Sequence, residues 1–420
     1  MTEGEPRVAF VTLGCKVNQA DTEAIADALG GAGSCSPEDA EIVVVNTCTV
    51  TGEADHKARK AVRHALALPR SPRVIVTGCL ATLDAEGLRS LGERVVVEAE
   101  KERVADIIRG LSGVSKPPAT SASRGTRSRV QLKVEDGCDS FCTYCIVPYA
   151  RGVPRPVPVT AVVARAEQLV RAGVREIVLT GINIGRYDDG GTRLPGLIEA
   201  VAATGVARIR LSSVEPRDVG ASLLDVAART PAFCQHLHIP LQSGSDDVLA
   251  CMGRPYDTAA FAQTVARVRD VFPSVAITTD VIAGFPGETE AEAAATLAFV
   301  EAQGFSRLHV FRYSPRTGTP AAEMGGQVPS PVKTARAAAL RDLGERLAVK
   351  YAASRVGTVA EVLVERERTA GAEQRADALG VTREYLRATI PGADARPGTV
   401  LDARVEAAAA DGSIICRTMH

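Results

Sequence analysis

Residues 129–152, RVQLKVEDGCDSFCTYCIVPYARG, run from a short apolar, strand-like segment directly into three cysteines at 138, 142 and 145. The strand poses the question of fold and the cysteines that of chemistry. Around this junction, from 130 to about 330, the strand candidates are RVQLKVE, EIVLTG, RIRLSS, HLHIPLQ, AITTDVIAGFP and RLHVFRYS. Helical segments such as PVTAVVARAEQLVRAG and ETEAEAAATLAFVEAQG lie between them. About six β/α units in that length predict a parallel (β/α) barrel, partial or complete. Polar residues gather at the strand ends, at 180–183, 212–215, 242–245 and Asp280, where barrel active sites are built.

The first 110 residues alternate in the same way. RVAFVTLGC (7–15), AEIVVVNTC (40–48) and RVIVTGC (73–79) read as strands, separated by helical ADTEAIADALGGAG and EADHKARKAVRHALAL. Such alternation predicts an open parallel sheet with helices on its faces. Each of the three strands ends in a cysteine, Cys15, Cys48 and Cys79. Ligands of open parallel sheets bind beyond the carboxyl ends of the strands, so three cysteines far apart in sequence meet at one edge. From the residues alone, three buried small hydrophobes remain the other reading of this trio.

Residues 112–129, SGVSKPPATSASRGTRSR, carry no hydrophobic period and read as a linker. Lys116, Arg124, Arg127 and Arg129 make it basic, which suits a solvated tether or an RNA contact. A helical connector is expected over 333–353. After it, GTVAEVLVERE, VTREYLRATIP and GTVLDARVEAA are β-rich and predict a small barrel of about five strands. The expected domains are 1–111 (N-terminal sheet), 112–129 (linker), 130–353 (β/α core) and 354–420 (small barrel). No solenoid-type repeat is found.

The chain of 420 residues is 45% hydrophobic and 24% charged, with a formal net charge of −1, so it can bury large cores and carries no overall nucleic-acid signal. MTEGEPRVAF lacks an apolar signal core, and no apolar run approaches the roughly 18 residues of a membrane span. The expectation is a cytoplasmic protein without membrane contact. There thiols stay reduced, and clustered cysteines mean metal or catalysis more often than disulfides.

For the triplet Cys138, Cys142 and Cys145, structural zinc fits poorly, because it wants four ligands, usually in two pairs. The next downstream candidates, Cys234 and His236, are far along the chain. A disulfide would strand the third thiol. A 4Fe–4S cluster on three thiolates keeps one iron open for a chelating substrate or cofactor. Cys35, Cys234, Cys251 and Cys416 match no cluster motif and read as packing residues.

The triplet, with Tyr144 before its last cysteine, resembles the radical S-adenosylmethionine (SAM) enzymes. The flanking EDGCDSFCTYCIVPYARG, with TLGCKVNQAD, VNTCTVTGEAD, VTGC, LTGINIG, RLSSVEP, HIPLQSGSD and GFPGETE, is similar to the methylthiotransferases over about residues 7–405. CKVN and GVTREYL resemble most the bacterial branch that acts on N6-threonylcarbamoyladenosine in tRNA. The resemblance implies two 4Fe–4S clusters, a catalytic one on Cys138, Cys142 and Cys145 and an auxiliary one on Cys15, Cys48 and Cys79. It implies SAM as cofactor, with Tyr144, Gly181, Ser213, Glu215, Gln242 and Asp280 around it, and a TRAM-like RNA-binding C-terminal barrel. His238 reads equally as a core histidine or an active-site one.

The implied reaction cleaves SAM to a 5′-deoxyadenosyl radical, which takes the hydrogen from C2 of an adenine in the tRNA anticodon loop. The second cluster then presents a methylated sulfur to the carbon radical. A reductant such as flavodoxin or ferredoxin is the implied electron donor and tRNA the implied partner. Lys16 and Asn18 are candidate substrate contacts, Lys16 because the threonylcarbamoyl group carries a carboxylate. Two departures stand out. ARGVPRPVP lacks the family's arginine-rich continuation, and residues 356–420 hold eight Arg, no Lys and ten acidic residues. Competing readings keep the chemistry on isopentenyl-adenosine tRNA or a ribosomal protein side chain, or keep only a non-catalytic iron–sulfur RNA-binding protein.

Overall fold

The computed structural model describes residues 7–30, 35–112, 128–368 and 376–419. Residues 113–127 of the expected linker, with Lys116, Arg124 and Arg127, lie outside them. The chain divides into two compact units. One comprises Met1–Gly125, Asp136–Arg155 and Ser314–Ala322, so the C-x3-C-x2-C segment belongs with the N-terminal sheet. The other comprises Thr126–Glu135, Pro156–Tyr313 and Glu323–His420.

In the first unit four strands, Val8–Thr12, Ile42–Thr47, Arg73–Gly78 and Val95–Val97, pair in parallel in chain order. Their Val- and Ile-rich runs suit a sheet covered on both faces. Alternate residues serve opposite cores, as the period of two requires. Val43, Val45, Val74 and Val76 pack with Ala58, Val62 and Ala65 of the helix Gly52–Leu66. Val44, Ile42 and Ile75 pack with Ile25 of the helix Lys16–Ala28 and with Val104 and Ile108 of Lys101–Ser112. The Thr51 hydroxyl caps Gly52–Leu66 by accepting from Ala54 N at 3.1 Å.

In the second unit, Arg129–Lys133, Glu176–Thr180 and Arg208–Leu211 form one parallel set, and His236–His238, Ala276–Ala283 and Arg307–Arg312 another. Bridges from Ile209 to Phe233 and from Ser213 to His238 join them. The result is a six-stranded partial barrel in chain order. Its helices, among them Val159–Arg171, Thr258–Val271 and Glu290–Gln303, bury one apolar face each. The helix Ser330–Ser354 leads to a closed five-stranded barrel of Val359–Arg368, Asp377–Thr382, Arg387–Ile390, Val400–Ala408 and Ile414–Thr418.

A buried ionic knot ties that small barrel to the β/α core. Glu176 sits between Arg208 and Arg210, at 2.8 and 2.7 Å, and all three side chains are fully buried. The arginines also donate to backbone carbonyls of Thr382 and Arg383 at 2.8 and 2.9 Å. Burial alone would raise the Glu176 pKa, but Arg210 and Arg208 outweigh it and hold it at about 2. Of the four cysteines expected to pack, Cys234 and Cys416 are buried and Cys35 half-buried, while Cys251 is exposed. Among the described residues no helix is long and apolar enough to cross a membrane.

Candidate metal centres

The N-terminal trio stands where the parallel sheet ends. Cys15 is the N-cap of the helix Lys16–Ala28, Cys48 follows the strand Ile42–Thr47, and Cys79 opens the short helix Cys79–Leu83 directly after Gly78. Gly14 allows this convergence: its φ is +99°, and a Cβ there would lie 2.8 Å from Cys48 Sγ. Burial pushes the Cys48 thiol up to about 11, and the charges of Cys15 and Cys79 push the same way. A bound metal would reverse this for Cys48, because a coordinating thiol is deprotonated outright.

Below the trio lies a polar network. Asn18 is fully buried, and its amide donates to the carbonyls of Leu13 and Thr47 at 2.7 and 2.9 Å. Its Oδ1 accepts from Arg151 at 2.5 Å. Asn18 therefore holds the cysteine loops together from beneath, a different place from the substrate contact expected of it. Lys16, beside Cys15, is half-buried at the first position of its helix. On the far side of Cys48, Arg316 donates to Thr49 Oγ1 and Asp55 Oδ2, both at 2.6 Å.

Cys138, Cys142 and Cys145 lie in a tight loop of the same unit. Cys138 N donates to Gly152 O and Cys145 N to Cys142 O, both at 2.9 Å, and Ala321 N donates to Thr143 O at 2.8 Å. Tyr144 is half-buried in the turn between the last two cysteines. Phe141 and Tyr149 are exposed and meet edge to face, with ring centroids 5.8 Å apart.

Among the described residues no three His, Cys, Asp or Glu side chains come close enough to hold a single metal ion. A cubane cluster makes a different demand, because its thiolates bind separate irons. The donor set fits that demand. Each trio is all sulfur, and each has an N–H aimed at one of its sulfurs. Ser140 N points at Cys138 Sγ at 3.4 Å, and Arg151 Nε at Cys79 Sγ at 3.2 Å. Hydrogen bonds to ligand sulfurs are among the controls on iron–sulfur centres.

The other expected site residues belong to the second unit. Gly181 follows the strand Glu176–Thr180, and a Cβ there would stand 2.8 Å from Glu135 Oε2, which accepts from Asn183 N at 2.8 Å. The glycine thus admits the Glu135 carboxylate. Ser213 bridges to His238. Glu215 is paired with Arg254, which lies 5.0 Å from the Tyr256 ring centroid. Burial raises the Glu215 pKa against the pull of Arg254. Gln242 has φ +72°, a strained value for a non-glycine residue and a frequent mark of functional loops.

Asp280 lies inside the strand Ala276–Ala283, not at its end as expected. Its Oδ1 is 3.2 Å from His238 Nε2, and His238 Nδ1 is 2.9 Å from Thr278 Oγ1. Glu135, Arg151, Arg254 and Arg316 were not singled out from the sequence. The only hint was that two of them, Glu135 and Arg151, lie within the quoted EDGCDSFCTYCIVPYARG.

Comparison with known proteins gives two family matches, the Radical SAM superfamily over residues 132–300 and Uncharacterized protein family UPF0004 over 7–98. A threonylcarbamoyladenosine tRNA methylthiotransferase of Thermotoga maritima is 37% identical, covering 98% of this chain and 96% of its own. One of Bacillus subtilis is 38% identical over 95% and 93% of the two chains. A tRNA-2-methylthio-N(6)-dimethylallyladenosine synthase of Geobacter metallireducens is 33% identical over 96% of each. Among solved structures, a radical S-adenosylmethionine methyltransferase from Kitasatospora setae matches with TM-score 0.54 at 14% identity, over 76% of this chain and 77% of that one, a likeness of fold.

Proposed function

The chain belongs to the tRNA methylthiotransferases of the radical SAM superfamily, and we propose that it methylthiolates C2 of N6-threonylcarbamoyladenosine in the tRNA anticodon loop with two 4Fe–4S clusters. The observation that carries the two-cluster reading is the pair of separate thiol trios, each with an N–H donor on one sulfur. The substrate reading is supported by identity, 37% and 38% to threonylcarbamoyladenosine relatives against 33% to the dimethylallyladenosine one.

In this reading Cys138, Cys142 and Cys145 hold the SAM-cleaving cluster, and Cys15, Cys48 and Cys79 the auxiliary one. When bound, the clusters supply one-electron cleavage of SAM and delivery of sulfur, chemistry that no side chain provides. The chain's own residues bind and orient. Tyr144, Gly181, Ser213, Glu215, Gln242 and Asp280 serve SAM, with Arg254 fixing Glu215 and His238 fixing Asp280. A small reduced protein such as flavodoxin or ferredoxin delivers the electron. Lys16 pairs with the substrate carboxylate, since a buried carboxylate needs a cation or several donors.

The test is nucleoside mass spectrometry on tRNA treated anaerobically with reconstituted protein, SAM and reductant. Threonylcarbamoyladenosine should exchange one hydrogen for a methylthio group, isopentenyladenosine should stay unchanged, and Lys16→Gln should slow the first reaction at least tenfold. Methylthiolation of isopentenyladenosine alone would overturn the substrate assignment, and an undiminished Lys16→Gln rate the role of Lys16.

A further inference from the structure

We propose that Arg151 joins the two cysteine trios, setting the position of the auxiliary cluster and raising its reduction potential. The proposal rests on the two-cluster reading above. Arg151 closes the short helix Val147–Arg151, which follows the Cys138–Cys145 loop by a single residue, and its side chain is 3% exposed. Its backbone thus belongs to the loop of one trio, and its guanidinium to the surroundings of the other.

The guanidinium has four partners. Nε donates to Cys79 Sγ at 3.2 Å, Nη2 to Asn18 Oδ1 at 2.5 Å and Nη1 to Asp136 Oδ1 at 2.7 Å. Asp21 Oδ2 lies 3.4 Å from Nη2. Through Asn18 the same group reaches the carbonyls of Leu13 and Thr47, which immediately precede the Cys15 and Cys48 loops. One planar fork therefore addresses all three auxiliary loops, directly or through one residue.

Simple charge balance does not account for this geometry. Asp21 already has Lys101 Nζ at 2.7 Å, and the same amine lies 3.8 Å from Asp136. With a second cation beside both carboxylates, the distinctive act of Arg151 is the N–H aimed at a ligand sulfur. A donor and a fixed positive charge there draw electron density from the thiolate and favour the reduced cluster. Lysine cannot reproduce a fork with donors in several fixed directions. Arg151 is thus a positioning residue, acting through Cys79.

The test uses the full-length protein, reconstituted with iron and sulfide, and compares wild type with Arg151→Lys and Arg151→Gln. Iron content, 5′-deoxyadenosine release and the midpoint potential of each cluster by EPR-monitored titration are read. The expected result is a more negative midpoint for the auxiliary cluster in both variants, larger for Gln, with the SAM-cleaving cluster unchanged. Loss of the auxiliary cluster alone, with 5′-deoxyadenosine still released, also supports the assignment, since only that site then depends on Arg151. Full iron content with both midpoints unchanged overturns it, as does loss of both clusters from both variants. If wild type itself holds only one cluster, the two-cluster reading fails, which is a different outcome from an unshifted midpoint.

Discussion

At Gly14 the backbone sits at φ +99°, and an added methyl group would stand 2.5 Å from Cys48 Cβ. Gly14→Ala therefore destabilises twice, through left-handed backbone strain and through pushing the Cys15 and Cys48 loops apart, on the order of 1–3 kcal/mol for the strain alone. The expected outcome is loss of about four of about eight irons, with 5′-deoxyadenosine release retained. Iron analysis showing full occupancy would remove the close approach of these loops from the account. The strand-end places of Cys15, Cys48 and Cys79 were legible in the sequence because each ends an apolar run. Arg151 and Arg316 were not, because a single arginine in a five-residue helix or a loop has no periodicity, and Arg151 finds its sulfur 72 positions away. Asn18 was read as a candidate substrate contact and its burial was not legible, because a polar side chain one turn into a helix looks the same whether it faces a ligand or two carbonyls.

Among the elements, the strand Arg208–Leu211 carries the sharpest test. Glu176 is held at about 2 by Arg210 and Arg208 against the cost of burial, while its ordinary value is 4.5. The sign follows from this depression. The stabilisation is fully present above about pH 4.5 and is lost progressively as pH falls toward 2. Glu176→Ala leaves two buried arginines without their carboxylate and should cost about 3–5 kcal/mol at neutral pH. Its acid unfolding should also lose part of the wild-type pH dependence between those values. Urea unfolding followed at pH 7 and at about pH 3, inside that window, checks both. An equal loss for wild type and variant between the two pH values would show that Glu176 is not the group titrating. The strand itself was legible from RIRLSS, yet its arginines would be placed facing water from sequence alone. Their acceptors come from a carboxylate 34 positions away and from carbonyls of a barrel far later in the chain. Asp280 was misplaced for a related reason: the polar residues of AITTDVIAGFP face Thr- and His-bearing neighbours, so polarity there does not mark the strand's end.

For the molecule as a whole, the six core strands, three of the four N-terminal strands and the small barrel's class were legible as apolar runs, while the short fourth strand Val95–Val97 was not. The grouping of the Cys138–Cys145 loop with the N-terminal sheet was not, because it depends on Arg151, Asn18 and the Thr143–Ala321 hydrogen bond. The carbonyls of Thr382 and Arg383 that receive Arg208 and Arg210 decide how RNA binding by the barrel can be tested. Deleting residues 356–420 would strip the core of these acceptors, so truncation is a poor probe. Exposed arginines of the barrel serve better. Arg366, Arg404 and Arg417, all exposed, replaced together by Gln should weaken tRNA binding with SAM cleavage unchanged. The salt dependence of binding should flatten as well, by about 0.7–0.9 in logarithmic slope for each phosphate no longer neutralised. Filter binding at several salt concentrations reads this, and unaltered affinity and slope would assign RNA binding to another surface.

The division of labour between the two thiol trios is the central claim, and one reaction tests it. The variant with Cys15, Cys48 and Cys79 replaced by Ala is reconstituted and incubated with SAM, reductant and threonylcarbamoyladenosine tRNA. 5′-Deoxyadenosine and the methylthiolated nucleoside are then quantified from the same sample. The account predicts that 5′-deoxyadenosine is still formed and the methylthiolated nucleoside is absent. Methylthiolated nucleoside at the wild-type level would contradict it, because the sulfur would then reach the adenine without the N-terminal trio.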